Sequence, residues 1–185
     1  MKNVILFALL IGILTGMSSC IEEDPCMDVY CENGGTCDEG RCDCPEGFTG
    51  AYCETELLPK YFRAERVVVS SYPYYRPGGG NWDPDGPADL VARIYSNDNP
   101  LTSTETVEDA FLNASLEFQH KVRLYVHDEL KLQLYDRDSE THGESMGYYT
   151  FYLRDWAQNK PPYVELYNPN TVHKIRMRLY GKWEY

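Results

Sequence analysis

Asp136 and Asp138 stand at alternate positions just past a run in which Leu130, Leu132 and Leu134 alternate with Lys131, Gln133 and Tyr135. If the strand pleat implied by that alternation persists, the two carboxylates share a face. Glu144 returns on the far side of a short loop that contains Gly143. Three carboxylates converging at a strand-to-strand loop repel one another unless a cation sits among them, and Ca²⁺ favours oxygen ligands in flexible loops. The same Asp, Ser and Gly composition also describes an ordinary solvated hairpin. A second stretch adds weight to the metal reading. Asp83 and Asp89 repeat the interval that separates Asp138 from Glu144, and Asp89 abuts an apolar run over residues 90–96.

The elements that must position these side chains read as short strands with turn punctuation. They are expected at residues 62–72, 90–96, 115–126, 130–135, 146–153, 163–167 and 172–180. Helical patterning is arguable only at 106–113 and 153–159. Many short Tyr-rich strands at this spacing imply an antiparallel β-sandwich. Two acidic loops, each abutting a strand, resemble calcium-binding loops one and three of the C2 domain. Asp83 and Asp89 match the first loop. Asp136, Asp138, Glu144, Met146 and Gly147 match the third, with Glu144 standing where the family usually has Asp. The resemblance implies a C2-like sandwich over residues 61–185 that binds Ca²⁺, with Asp83, Asp136 and Asp138 as the floor of the site and Asp89 and Glu144 completing it together with loop carbonyls and water.

Residues 72–82, Y-P-Y-Y-R-P-G-G-G-N-W, lead into the first acidic loop. Three consecutive glycines suggest a mobile tip, and Tyr75, Arg76 and Trp82 are candidates for ligand contact beside the metal. The alternative is that some of these aromatics cap the core. Catalytic motifs are absent: no G-x-S-x-G, H-E-x-x-H or P-loop occurs. His120, His127, His142 and His173 are scattered. Asp136 and Glu144 could be taken for a glycosidase pair, but a carboxylate cluster without a cleft is more simply a cation site. The chain is read as a non-enzyme.

Residues 26–53 hold C-M-D-V-Y-C-E-N-G-G-T-C-D-E-G-R-C-D-C-P-E-G-F-T-G-A-Y-C. So short a segment buries too little surface to be held by a core, so cross-links must hold it. Several pairings are open by sequence alone, and a zinc site competes, although the spacing is unlike paired C-x₂-C knuckles. The spacings, the N-G-G-T-C turn and C-x-C-P-x-G-F-x-G-x-x-C resemble the EGF-like domain. That resemblance implies Cys26–Cys37, Cys31–Cys42 and Cys44–Cys53. Gly47 and Gly50 would supply turn positions with positive φ, and Phe48 and Tyr52 the apolar packing. The module is assigned residues 26–54, and a linker follows at 55–60.

The remaining Cys lies upstream. Lys2 and the apolar run 4–14 form a targeting segment, excluded from fold reasoning. The following L-T-G-M-S-S-C resembles a bacterial lipobox, which implies a signal peptide at 1–19 and a diacylated, palmitate-bearing Cys20. The chain has seven Cys, an odd number, and setting Cys20 aside leaves an even set for disulfides. A tether at 20–25 follows, its acidic residues resembling the export tag of surface-exposed lipoproteins or serving only as a solvated spacer. The formal net charge of −12 disfavours nucleic acid and unaided docking on an anionic membrane. The expected whole is mainly β: an outer-membrane, surface-exposed lipoprotein with a small disulfide-rich EGF-like module, then an antiparallel β-sandwich. Its expected role is calcium-dependent binding or adhesion to a surface protein or glycan. A structural accessory of an envelope complex, needing no metal, is the alternative, and a carboxylate-dependent hydrolase ranks last.

Overall fold

The computed structural model describes residues 24–138, 143–167 and 174–185. The signal segment, Cys20 and His142 lie outside the described residues, as does His173. The chain divides into two compact units, one ending at Glu56 and the other covering Leu57–Tyr185.

The first unit contains β1 (Thr36–Asp38), β2 (Arg41–Asp43), β3 (Phe48–Thr49) and β4 (Thr55–Glu56). β1 pairs with β2, and β3 with β4, both antiparallel. Disulfides join Cys26 to Cys37, Cys31 to Cys42 and Cys44 to Cys53, the pairs that the resemblance implies. With every thiol of this segment consumed, the zinc alternative is closed. Gly47 and Gly50 have φ of +92° and +106°, the left-handed region that glycine enters without a Cβ clash. Among the described residues of the module only Gly47 and Cys53 are buried. Tyr52 is exposed rather than packed, which leaves Phe48 half-buried and the covalent bridges as the stabilising framework.

The second unit is built from β5 (Tyr61–Ser71), β6 (Leu90–Ser96), β7 (Asn99–Ser103), β8 (Ala114–Tyr125), β9 (Leu130–Asp136), β10 (Glu144–Phe151), β11 (Tyr163–Tyr167) and β12 (Arg176–Glu184). One sheet has the order β10-β9-β6-β7, the other β11-β12-β5-β8, and all pairings are antiparallel. Alternation sends Leu130, Leu132 and Leu134 inward against Ile94, Val67, Leu116 and Leu179, all of them fully buried. The expected helices do not form. Residues 106–113 are loop and turns, and 153–159 hold only the single 3₁₀ turn Leu153–Asp155. β7 escapes the sequence reading because its N-P-L-T-S lacks period-two patterning and carries a proline, tolerable on this edge strand.

β6 and β9 are neighbours, with Leu90 opposite Asp136. The loop that enters β6 and the loop that leaves β9 therefore meet at one end of this sheet.

Candidate metal centre

Asp136 is the last residue of β9, on the inward side of the alternation, and it is fully buried. Its Oδ1 accepts the Asp89 backbone N–H at 2.9 Å, while its Oδ2 is buried without a hydrogen-bond partner. Asp83 Oδ2 is likewise buried and unpartnered. Asp83, Asp136 and Asp138 each offer an oxygen, and these atoms lie within 4.8 Å of one another. Two oxygens on opposite sides of a Ca²⁺ ion are about 4.6–5.2 Å apart, so one ion can touch all three. The all-oxygen set and the orphaned buried oxygens fit a hard divalent cation.

The electrostatics show strain among the carboxylates. Burial, reinforced by the charges of Asp83 and Asp138, pushes the Asp136 carboxyl up to about 6, against the Asp89 N–H and Arg76, which act the other way. Burial and the neighbouring Asp89 and Asp138 also raise Asp83. The neighbouring carboxylates thus oppose ionisation of Asp136 and of Asp83.

The remaining predicted ligands are placed differently. Asp89 uses Oδ1 to accept the Asp109 backbone N–H at 2.8 Å, which ties the 104–113 segment to the loop entering β6. Its carboxylate lines an acidic pocket with Asp83, Asp85, Glu108 and Asp109. Glu144 stands opposite Asp136 in register, yet its Oε2 is 3.1 Å from Arg76 Nε. Arg76 Nη2 also lies 3.5 Å from Asp138 Oδ1, and it donates to the Trp82 carbonyl. Arg76 is thus a counter-charge built into the site rather than a side chain facing an outside ligand. It is the only Lys or Arg between Arg66 and Arg93, a signal legible in the sequence. Asp109 carried no such signal, since only the fold brings it beside Asp89.

Trp82 is not a contact residue. It is 3% exposed, belongs to the core, and donates its indole N–H to the Pro73 carbonyl at 2.7 Å. Its area is worth more in the core than at the surface. Tyr75 is exposed and packs edge-on against Tyr74, beside Gly78, Gly79 and Gly80 with φ of 95–100°.

Comparison with known proteins places the first unit. Residues 26–53 match the family model described as "EGF-like domain". They form an EGF-like module. A mouse protein, EGF-like repeat and discoidin I-like domain-containing protein 3, is 38% identical over 61 residues, covering 30% of this chain and 13% of that protein. This chain therefore spans only a small part of the length of that relative. Among solved structures, one titled as a C2 domain is 15% identical with a TM-score of 0.42, covering 66% of this chain and 98% of that one. Calcium-bound extended synaptotagmin 2 is 15% identical with a TM-score of 0.43, covering 68% and 46%. Human GIVD cytosolic phospholipase A2, solved with terbium chloride, is 13% identical with a TM-score of 0.39, covering 69% and 18%.

Proposed function

We propose that this protein is a lipid-anchored, calcium-dependent binding module of the outer cell surface. Cys20 is the anchor, the EGF-like module a spacer, and the C2-type sandwich the binding end. The reading takes it as a non-enzyme acting on a surface protein or glycan. The observation that carries the metal assignment is the fully buried Asp136, its Oδ2 unpartnered within reach of Asp83 and Asp138. Bound Ca²⁺ would supply the missing positive charge there. Asp83, Asp136 and Asp138 would hold it, with Glu144 and Asp89 in outer positions. Tyr74 and Tyr75, exposed on the adjoining loop, are suited to contact a ligand beside the ion.

Arg76 favours a second reading, a metal-free structural accessory. A guanidinium that already answers Asp138 and Glu144 reduces the need for an ion. The two readings differ in the sign of one variant's effect. If Ca²⁺ binds, Arg76 competes with it, and Arg76→Gln raises calcium affinity several-fold by calorimetry. Ca²⁺ binding to the folded sandwich alone stabilises it by about 2.7 kcal/mol at a hundredfold excess over the dissociation constant. Melting temperature is therefore expected to rise across a calcium series, with Asp138→Asn losing most of the rise. Identical melting of wild type and Asp138→Asn up to millimolar calcium, with no heat of binding in Arg76→Gln, leaves the accessory reading in place.

A further inference from the structure

We infer that the outward face of the β11-β12-β5-β8 sheet binds an acidic polysaccharide, independently of calcium. Strand register places three cations side by side: Lys182 of β12 is opposite Arg63 of β5, and Arg63 is opposite Arg123 of β8. Like charges directly opposite one another destabilise an antiparallel pair, and neighbouring strands are only about 4.8 Å apart. Among the described residues Glu184 answers the row, 2.8 Å from Arg63 and 2.7 Å from Arg123. The other sheet avoids this arrangement. There Arg93 faces Gln133 and Ser103, and Lys131 faces Tyr95 and Thr150. In a chain whose formal net charge is −12, a row of cations across three adjacent strands runs against the general composition.

The rings around the row define the ligand chemistry. Beside the row Arg123 lies over Tyr61 at 4.2 Å; further along the same face Arg66 lies over Tyr180 at 4.1 Å, and Arg176, also 3.7 Å from Glu165, lies over Tyr167 at 4.3 Å. Tyr125 and Tyr167 leave 42% and 45% of their surface to solvent. Guanidinium forks bind sulfate and carboxylate groups in bidentate fashion. Tyrosine rings offer flat apolar bodies with a hydroxyl at the edge, suited to the C–H faces and hydroxyls of sugar rings. An acidic polysaccharide presents both chemistries in alternation. An anionic bilayer fits less well. It would meet the whole acidic surface rather than one strip, and a sheet face offers no projecting apolar tip to insert.

The test uses the full chain in EDTA, which removes any calcium contribution, with heparin as the sulfated and carboxylated probe. Wild type is expected to be retained on immobilised heparin and released by salt. Arg63→Gln/Arg123→Gln/Lys182→Gln is expected to bind about tenfold more weakly or worse, while Arg93→Gln/Lys131→Gln on the other sheet elutes with wild type. Glu184→Gln frees two guanidiniums and is expected to elute at higher salt than wild type. This single change keeps the proposal testable even if the triple variant folds poorly. The proposal is overturned if wild type is not retained, or if the row variant elutes with it. Unchanged or weaker binding by Glu184→Gln overturns it too. Binding to phosphatidylserine–phosphatidylcholine vesicles without binding to heparin would assign the face to membranes instead. Each of these outcomes leaves the calcium reading untouched.

Discussion

At Asp136 the fold works against the charge that the side chain carries at neutral pH. Its carboxyl is raised from the ordinary 3.8 to about 6 by burial first and by Asp83 and Asp138 next, so the folded chain holds a proton that the unfolded chain has already lost. Above about pH 6 the ionised, uncompensated group costs stability. As pH falls from 6 towards 4, the folded state takes up the proton first and that cost is relieved. In EDTA, melting temperature is expected to rise as pH is lowered from 7 to 5. In Asp136→Asn this component is absent, and the variant melts above wild type at pH 7. Saturating calcium reverses the slope, because a bound cation favours the ionised form and protons then compete with it. A wild type and Asp136→Asn with parallel melting-temperature profiles in EDTA would show that Asp136 is not the titrating group.

Between strands, what positions the acidic loops is the pairing of β6 with β9, and its weight rests on inward leucines. Leu132 is fully buried at the centre of β9, opposite Ile94 in β6 and Tyr149 in β10. Leu132→Ala is expected to cost about 2–5 kcal/mol in denaturant unfolding, through lost transfer energy and the cavity left behind. A cost below about 1 kcal/mol would mean that the sheet does not depend on this contact. Such strands were legible in the sequence because period-two alternation is a local signal, which is why β6 and β11 fall on the expected residues and β5, β8 and β9 within one residue of them. β12 lies further along than the expected 172–180, since the bulge at Tyr180 and Gly181 continues the strand to Glu184. β7 carried no local signal. Nor did the fate of Trp82, for which an aromatic, glycine-rich stretch reads the same whether its side chains face out or in; Arg76 stood out as the lone cation of that stretch, but its partners did not. Trp82 is drawn into the core, and Arg76 is held by Asp138 and Glu144, residues that only the folded chain brings near. The EGF-like module was the most legible part. Its cysteine spacings carry the constraint directly, with little dependence on packing.

For the molecule as a whole, the proposed surface location asks what would hold an acidic two-unit chain there. The formal net charge of −12 repels anionic lipid, and the cation row on the second unit is a strip too small to reverse that. On the proposed lipid-anchored reading, attachment needs a covalent hydrophobic contribution, and Cys20, outside the described residues, is the proposed source. A single acyl chain gives marginal, reversible binding, whereas two give stable anchoring. Diacylation of Cys20 would meet that requirement without help from either folded unit. Cys20→Ser is accordingly expected to lose palmitate labelling and to move the protein from the membrane fraction to the soluble one. The six remaining cysteines all lie in disulfides, so the released protein should keep the three bridges and melt with an unchanged calcium response. Fractionation that does not change on this substitution would mean that the chain is held by some other segment or by a partner. Release with loss of the calcium response would mean that the anchor and the sandwich are not independent.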